Sequence, residues 1–485
     1  MHLRTACLDE TSPDKRLYID LCDSEWRAVE VTADEWRVIK TPPARFIRNH
    51  GMKALPDPAE SDIDLLFKHL NVKESERCLV LAWLVAAMRP TDPYTVLILQ
   101  GEQGTAKSTA TRVLRTLVDP SRAELRCAPR NQQDLMTQAL NNWCIALDNL
   151  SAIPTWLSNA LCGIATGTAH GTREFYTLTE ESLIDVMRPI ILNGIDDLAT
   201  NQDMIDRCII INLEPIPPKK RKPQSEFWCE FNADKPAILG ALLDRVSLAL
   251  RQEPHIKRAD LPRMADFARW GMAAFPPNEQ EQFLTTYDQN CKSAVVSGLD
   301  GSSVAIELRE MVTPATPFEG TMTELLKALN ARASDRTRNQ QAWPKLPQQL
   351  SSQLRRLATA LRSTGLEIEY LPGHKHGRKV CIKASPASPE SSREENQAVN
   401  GDARGDANLK GDARGDAEGD AWDAGDSELS HCSKNKRDAG DAGDAELHNL
   451  YKPNGDRPPG QPGTTSNGNL PRPDEPTLFG PEDNG

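Results

Sequence analysis

The stretch LILQGEQGTAKSTATRVLRTL, Leu97 to Leu117, constrains this chain more than any other. An apolar run turns through two glycines and becomes a helical pattern directly after a lysine and a hydroxyl residue. Backbone N–H groups curled at a helix N-terminus bind anions, and the spacing G-x-x-x-x-G-K-[ST] adds a lysine for the β/γ-phosphates and a hydroxyl for Mg²⁺. Gly101, Gly104, Thr105, Lys107, Ser108 and Thr109 follow that order, with Ala106 where the second glycine belongs. Alanine keeps its N–H but loses conformational freedom if the loop needs a positive φ there. YTVLILQ before the loop reads as a buried parallel strand and KSTATRVLRTLV after it as a helix. The expected fold is α/β, a P-loop NTPase core. The competing reading is an ordinary strand-to-helix turn containing glycine.

A nucleotide site of this kind needs a carboxylate at the end of a second strand to hold Mg²⁺ through water. NNWCIALDNLS supplies Asp148 after the apolar run Trp143 to Leu147, at a spacing from Lys107 that fits one intervening helix and one strand. Asn149 stands where a water-activating acid commonly follows. It either positions the water, or hydrolysis is slow, or a carboxylate elsewhere acts as base. RPIILNGI ends a third strand in Asn193, an amide suited to the γ-phosphate or the attacking water. Arg207 precedes a fourth strand, Cys208 to Leu213. It is a candidate for the γ-phosphate of a neighbouring subunit, with a salt bridge to Asp203 or Asp206 as the plainer alternative.

The ordered set GxxGxxKS, ALDN, TGTAHGTREFYT, RPIILNGI and DMIDRCIII, spread over roughly residues 71 to 270, resembles the ATPase core of phage-, plasmid- and prophage-encoded primase-helicases. These are close to superfamily-three DNA helicases within the AAA+ class. The resemblance implies that Lys107 and Ser108 contact ATP and Mg²⁺ and that Asp148 is the Mg²⁺ carboxylate. It also implies that Asn193 is the sensor amide and Arg207 a finger acting in trans in a homo-oligomeric ring. Ala106 and Asn149 depart from the commonest family pattern and bear on hydrolysis rate more than on fold. In that family the segment between the second and third strands is a hairpin facing the ring's channel. Here it would present His170, Arg173 and Tyr176, a chemistry suited to single-stranded DNA.

Domain boundaries are expected at a small antiparallel β unit over 1–60, the ATPase core over 61–215, a helical lid or connector over 216–300, a winged helix over 301–385 and an acidic tail over 386–485. The winged-helix reading rests on two amphipathic helices, the second with Leu350, Leu354, Leu357 and Leu361 on one stripe, followed by LEIEY and KVCIKA around the basic LPGHKHGR. Arg355 and Arg356 would face a DNA groove, with His374, Lys375, His376, Arg378 and Lys379 on the wing. A protein-binding winged helix is the alternative.

Net charge is −12, but residues 386–485 hold 21 acidic and 10 basic residues, so the body carries only about −1 and is not too acidic to bind DNA. Seven Gly-Asp-Ala triplets and few aliphatic residues predict that this tail is disordered. The eleven cysteines form no C-x-x-C pair, no signal peptide is recognisable and the longest apolar run is too short for a bilayer. A reduced, cytoplasmic chain without a membrane is therefore expected. PKKRK at Pro218 to Lys222 reads as a solvated loop rather than a nuclear signal. The N-terminal region carries no zinc motif or primase-type acidic triad, so priming would come from a separate primase. These readings converge on an ATP-dependent DNA helicase or replication ATPase of a mobile genetic element, acting on single-stranded or origin DNA. An ATP-sensing replication initiator or regulator is the first alternative. A small-molecule P-loop kinase is disfavoured because no acceptor lid is recognisable.

Overall fold

The computed structural model describes residues 2–8, 14–167, 186–195, 198–199, 201–340, 342–371 and 379–385, together with the backbone of 170–173 and 181–184. Met1–Ala403 forms one compact unit. The predicted tail, 386–485, lies outside the described residues.

Four short strands open the chain: β1 (Thr5–Leu8), β2 (Arg16–Asp20), β3 (Ala28–Val31) and β4 (Trp36–Ile39). They pair antiparallel in sequence order, as alternating runs separated by turn residues should. This sheet has a small apolar cluster of its own, which holds Ala6, Tyr18 and Ala44. Leu17, Ile19, Val29 and Val31 sit in one apolar cluster with residues of the central helices and of one face of a second, parallel sheet. A buried ion pair ties the two sheets together. The Arg4 guanidinium donates to Asp119 at 3.1 Å, with side chains 0% and 2% exposed, and Asp119 also accepts the Trp143 and Cys144 N–H groups.

After α1 (Asp64–Lys68) and the almost wholly buried α2 (Arg77–Ala87) comes β5 (Val96–Gln100), then α3 (Lys107–Val118), α4 (Gln132–Asn141), β6 (Ile145–Leu150) and α5 (Thr155–Thr166). A hairpin, β7 (His170–Arg173) and β8 (Glu181–Ile184), precedes β9 (Ile190–Gly194), α6 (Gln202–Ile205) and β10 (Cys208–Asn212). Strands β10, β5, β9 and β6, in that spatial order, make the parallel sheet. The strand expected between α3 and β6 is reduced to a single bridge, Arg126 to Leu147, held by two backbone hydrogen bonds.

Both faces of the parallel sheet are covered, which is why its strands read as unbroken apolar runs. Leu97, Leu99, Ile191, Ile209 and Ile211 share an apolar cluster with α2, α3 and the long α7 (Gln224–Gln252), and α7 and α8 (Ala265–Ala273) pack on α2. Val96, Ile98, Ile190, Leu192 and Ile210 face α4, α5, α6 and part of α9 (Gln280–Asp300). On the open edge of β10, the Asn290 amide of α9 exchanges two hydrogen bonds with the Ile210 backbone, at 2.7 and 3.0 Å, as a neighbouring strand would.

A separate apolar cluster holds the C-terminal elements α10 (Ser303–Met311), β11 (Phe318–Thr321), α11 (Met322–Arg332), α13 (Pro347–Ser363), β12 (Leu366–Tyr370) and β13 (Lys379–Ala384), while the short α12 (Asp335–Arg338) buries no residue. The strands pair antiparallel in the order β11-β13-β12. Leu350, Leu354 and Leu361 are buried and Leu357 packs against them. A capping box between Thr321 and Glu324 sets the start of α11.

Candidate functional site

The site lies at the C-terminal ends of β5, β6 and β9, where a parallel sheet leaves loops and helix starts exposed. Its first part is the loop Gly101–Ser108. Gly101 is obligatory there: its φ is 149°, and an added Cβ would meet the Leu213 carbonyl oxygen at 2.5 Å. Gly104 also has a left-handed φ, 87°. Ala106 is the residue before α3 and adopts φ 63°, ψ 30°, a left-handed conformation usually taken by glycine. The chain thus makes a left-handed turn directly before α3 with a Cβ in place. Thr105 is fully buried and Thr109 lies in the first turn of α3.

Lys107 is turned back onto its own loop. Its ammonium donates to the carbonyl oxygens of Gly101 and Glu102, both at 2.7 Å. Partial burial pulls its pKa below the ordinary lysine value, and Asp148 opposes the shift. The ammonium also donates, at 3.4 Å, to the Thr105 hydroxyl; an ammonium held by neutral oxygens can exchange them for a phosphate's charged ones.

Ser108, Asp148 and Asn193 meet directly. The Ser108 hydroxyl donates to Asp148 Oδ1 at 2.7 Å, and Asn193 Nδ2 donates to the same oxygen at 2.7 Å. Asn193 is 1% exposed at the end of β9. It also donates to the Thr111 hydroxyl at 2.7 Å and accepts the Asn149 backbone N–H at 2.9 Å. Asn149 has a positive φ, 57°, within the irregularity where β6 shifts register against β9. That kink leaves the Asn149 side chain exposed beside Asp148.

Arg207, just before β10, does not join this group. It is ion-paired with Asp203, to whose carbonyl it also donates at 3.0 Å, while Arg263 pairs with both Asp203 and Asp206. The hairpin bearing His170 and Arg173 has its backbone paired, His170 to Ile184 and Arg173 to Glu181; Tyr176 lies outside the described residues. In the C-terminal unit Arg355 and Arg356 are exposed on α13, with the Arg355 guanidinium 6.0 Å from the Tyr370 ring. Lys379 pairs with Glu319 at 3.3 Å. His374, Lys375, His376 and Arg378 fall outside the described residues.

Two residues of the site have little sequence signal. Thr111 is a buried hydroxyl one turn into α3, bonded to the Lys107 carbonyl and to Asn193, and its only mark is polarity within an apolar stripe. Arg221 sits in the basic cluster read as a solvated loop, yet its Nη2 is 3.4 Å from the Cβ position of Gly104. A cavity of about 300 Å³ opens at the β10 edge, lined by Gln100, Asn212, Glu76 and α9. None of the gathered side chains lines it. Burial pushes the Glu76 carboxyl above its ordinary range.

Fold and site together define a mixed α/β protein with a parallel sheet whose strand ends gather a lysine, a hydroxyl, a carboxylate and an amide. Residues 63–290 match the family model of the actinomycete integrative conjugative element replication protein, and residues 304–396 match that of the AICE RepA C-terminal domain. The two matched segments are thus similar to a replication protein of a mobile element. No curated protein matches. Among solved structures, the apo C-terminal region of NrS-1 aligns at 12% identity over 74% of this chain and 95% of that one, with a TM-score of 0.34. A JCV helicase with a bound thiazolopyridinyl-phenoxyphenyl acetamide aligns at 13% identity over 46% of this chain and 65% of that one, with a TM-score of 0.22. Among the described residues, no helix is long and apolar enough to cross a membrane.

Proposed function

We propose that this chain is the ATP-driven DNA helicase or replication ATPase of its element, with a P-loop core and a C-terminal winged helix. The observation that carries the reading is the convergence of Lys107, Ser108, Asp148 and Asn193 at the ends of three parallel strands. Gly101, Gly104 and Ala106 turn the loop at positive φ directly before α3, and a helix start offers the free N–H groups that a phosphate tail requires.

The residues fit ATP and Mg²⁺. Lys107 would leave its loop carbonyls for the β/γ-phosphates. Ser108 and Asp148, already 2.7 Å apart, would hold Mg²⁺, which when bound neutralises charge on the phosphate oxygens. Asn193 fixes the Asp148 carboxylate and, through the Asn149 N–H, the kink beside it. The exposed Asn149 amide would orient water. Arg207 would exchange Asp203 for a neighbouring subunit's nucleotide in a ring. The β7–β8 hairpin, with His170, Arg173 and Tyr176, would track single-stranded DNA. Arg355, Arg356, Lys375, Arg378 and Lys379 would hold duplex or origin phosphates, with a separate primase as partner.

The test is ATP turnover with and without single-stranded DNA, for the wild type and Lys107→Ala. DNA-stimulated turnover that the variant loses supports the reading; turnover unchanged in the variant refutes it. A second reading, an ATP-sensing initiator with weak hydrolysis, is favoured by Asn149 standing where a water-activating carboxylate is common. Tight ATP binding without DNA-stimulated turnover would select it.

A further inference from the structure

We propose that Arg221 is a second cation of the nucleotide loop, contacting the terminal phosphates of a nucleoside triphosphate bound to the same subunit. The inference rests on the nucleotide-binding reading above and adds to it a residue that discriminates triphosphate from diphosphate.

The backbone brings this arginine to the loop. β10 pairs parallel with β5, and the pairing continues past both strand ends. The Leu213 N–H donates to the Gln100 carbonyl at 2.8 Å, the Leu213 carbonyl lies against Gly101, and the Ile216 N–H donates to the Gly104 carbonyl at 3.3 Å. The segment after β10 therefore runs alongside the loop. Three prolines, Pro215, Pro217 and Pro218, restrict its φ angles and lower the entropy cost of holding it there. The Asn71 amide, donating to the Glu214 carbonyl, anchors its near end.

The segment ends by placing a guanidinium on the loop. Arg221 Nε donates to the Ile216 carbonyl at 3.1 Å, and Nη2 lies 3.4 Å from where a Cβ of Gly104 would stand. Among the described residues no carboxylate lies within ion-pair distance of Arg221, whereas its neighbour Lys222 is paired with Glu230 at 2.6 Å. Arginine's fork is held by one N–H, leaving the others for a ligand, and phosphate oxygens match that geometry. The glycine beneath it admits a close approach of ligand to backbone. Lys107 and Arg221 thus bracket the loop Gly101–Ser108, one from α3 and one from beyond β10.

The test is titration of the full chain with a fluorescent non-hydrolysable ATP analogue and with fluorescent ADP, comparing wild type, Arg221→Ala, Arg221→Lys, Lys220→Ala and Lys107→Ala, each also melted without nucleotide. Arg221→Ala should weaken triphosphate binding about 10- to 100-fold, the scale of a lost charge-assisted hydrogen bond, and diphosphate binding no more than about threefold. Arg221→Lys should recover part of the loss. Lys220→Ala should match the wild type, and the melting temperature of nucleotide-free Arg221→Ala should not move. Equal loss for both nucleotides with a lowered melting temperature would make Arg221 a structural clip and overturn the proposal, as would no loss at all. If the wild type binds neither nucleotide, or Lys107→Ala binds both as well as wild type, the nucleotide-site reading itself falls and takes this one with it. Loss in Lys107→Ala but not in Arg221→Ala refutes this inference alone.

Discussion

Ala106→Gly isolates the one position where the loop departs from its motif. The residue holds φ 63°, ψ 30°, and its carbonyl accepts the first helical hydrogen bond of α3, from the Ala110 N–H at 2.9 Å. A Cβ in the left-handed region costs about 1–2 kcal/mol. Glycine removes that cost but loses about 0.5–1 kcal/mol through the greater freedom of the unfolded chain. The net is a stabilisation of about 0.5–1 kcal/mol, which in a chain of this size raises the melting temperature by roughly 1–3 °C. Every N–H donor of the loop is unchanged, so ATP affinity should stay within about threefold, less than about 1 kcal/mol. Ala106→Val provides the opposite sign, because a β-branched residue is a genuine outlier at positive φ and should lower the melting temperature by several degrees. Thermal melts of the three proteins, with and without ATP, decide between these signs. A glycine variant less stable than wild type, together with a tolerated valine, would show that residue 106 is not left-handed in solution and would remove the link between loop geometry and motif.

Arg4→Ala should destabilise the protein by about 3–5 kcal/mol, because Asp119 would be left charged and buried with its cation gone; urea unfolding measures it, and a loss under about 1 kcal/mol would contradict the pairing. Arg207→Ala should keep ATP binding but lose roughly 10³-fold in turnover, and mixing it with Lys107→Ala should restore part of the activity if subunits share sites. No recovery in mixtures shown to co-assemble would make Arg207 a partner of Asp203 only. The pKa of Lys107 is depressed by partial burial, and the ammonium is the form that holds phosphate. ATP affinity should therefore fall as pH rises, beginning below the ordinary lysine pKa of about 10.4, with proton uptake on binding visible by calorimetry in buffers of different ionisation heat. Affinity independent of pH up to that value would refute the role.

The parallel α/β core is legible in the residues alone. The runs at 96–99, 190–192 and 208–211 are apolar without alternation, as strands covered on both faces are, and the loop between β5 and α3 is marked by its glycines, lysine and hydroxyls. The sequence also marked Asp148 and Asn193 as polar residues ending buried strands. Their juxtaposition on one oxygen was not legible, because it depends on β9 lying between β5 and β6, an order that distant pairing decides. The kink that turns the Asn149 N–H toward Asn193 arises from a register shift, and no local propensity encodes it. Thr111 looked like one more helical residue, and its role depends on which neighbour meets that turn of α3. Arg221 looked like part of a solvated basic run. Only the continued pairing of the β10 segment with the Gly101–Gly104 loop lays its guanidinium on the glycine, since charge patterning describes what surrounds a residue along the chain and not what the fold brings to it.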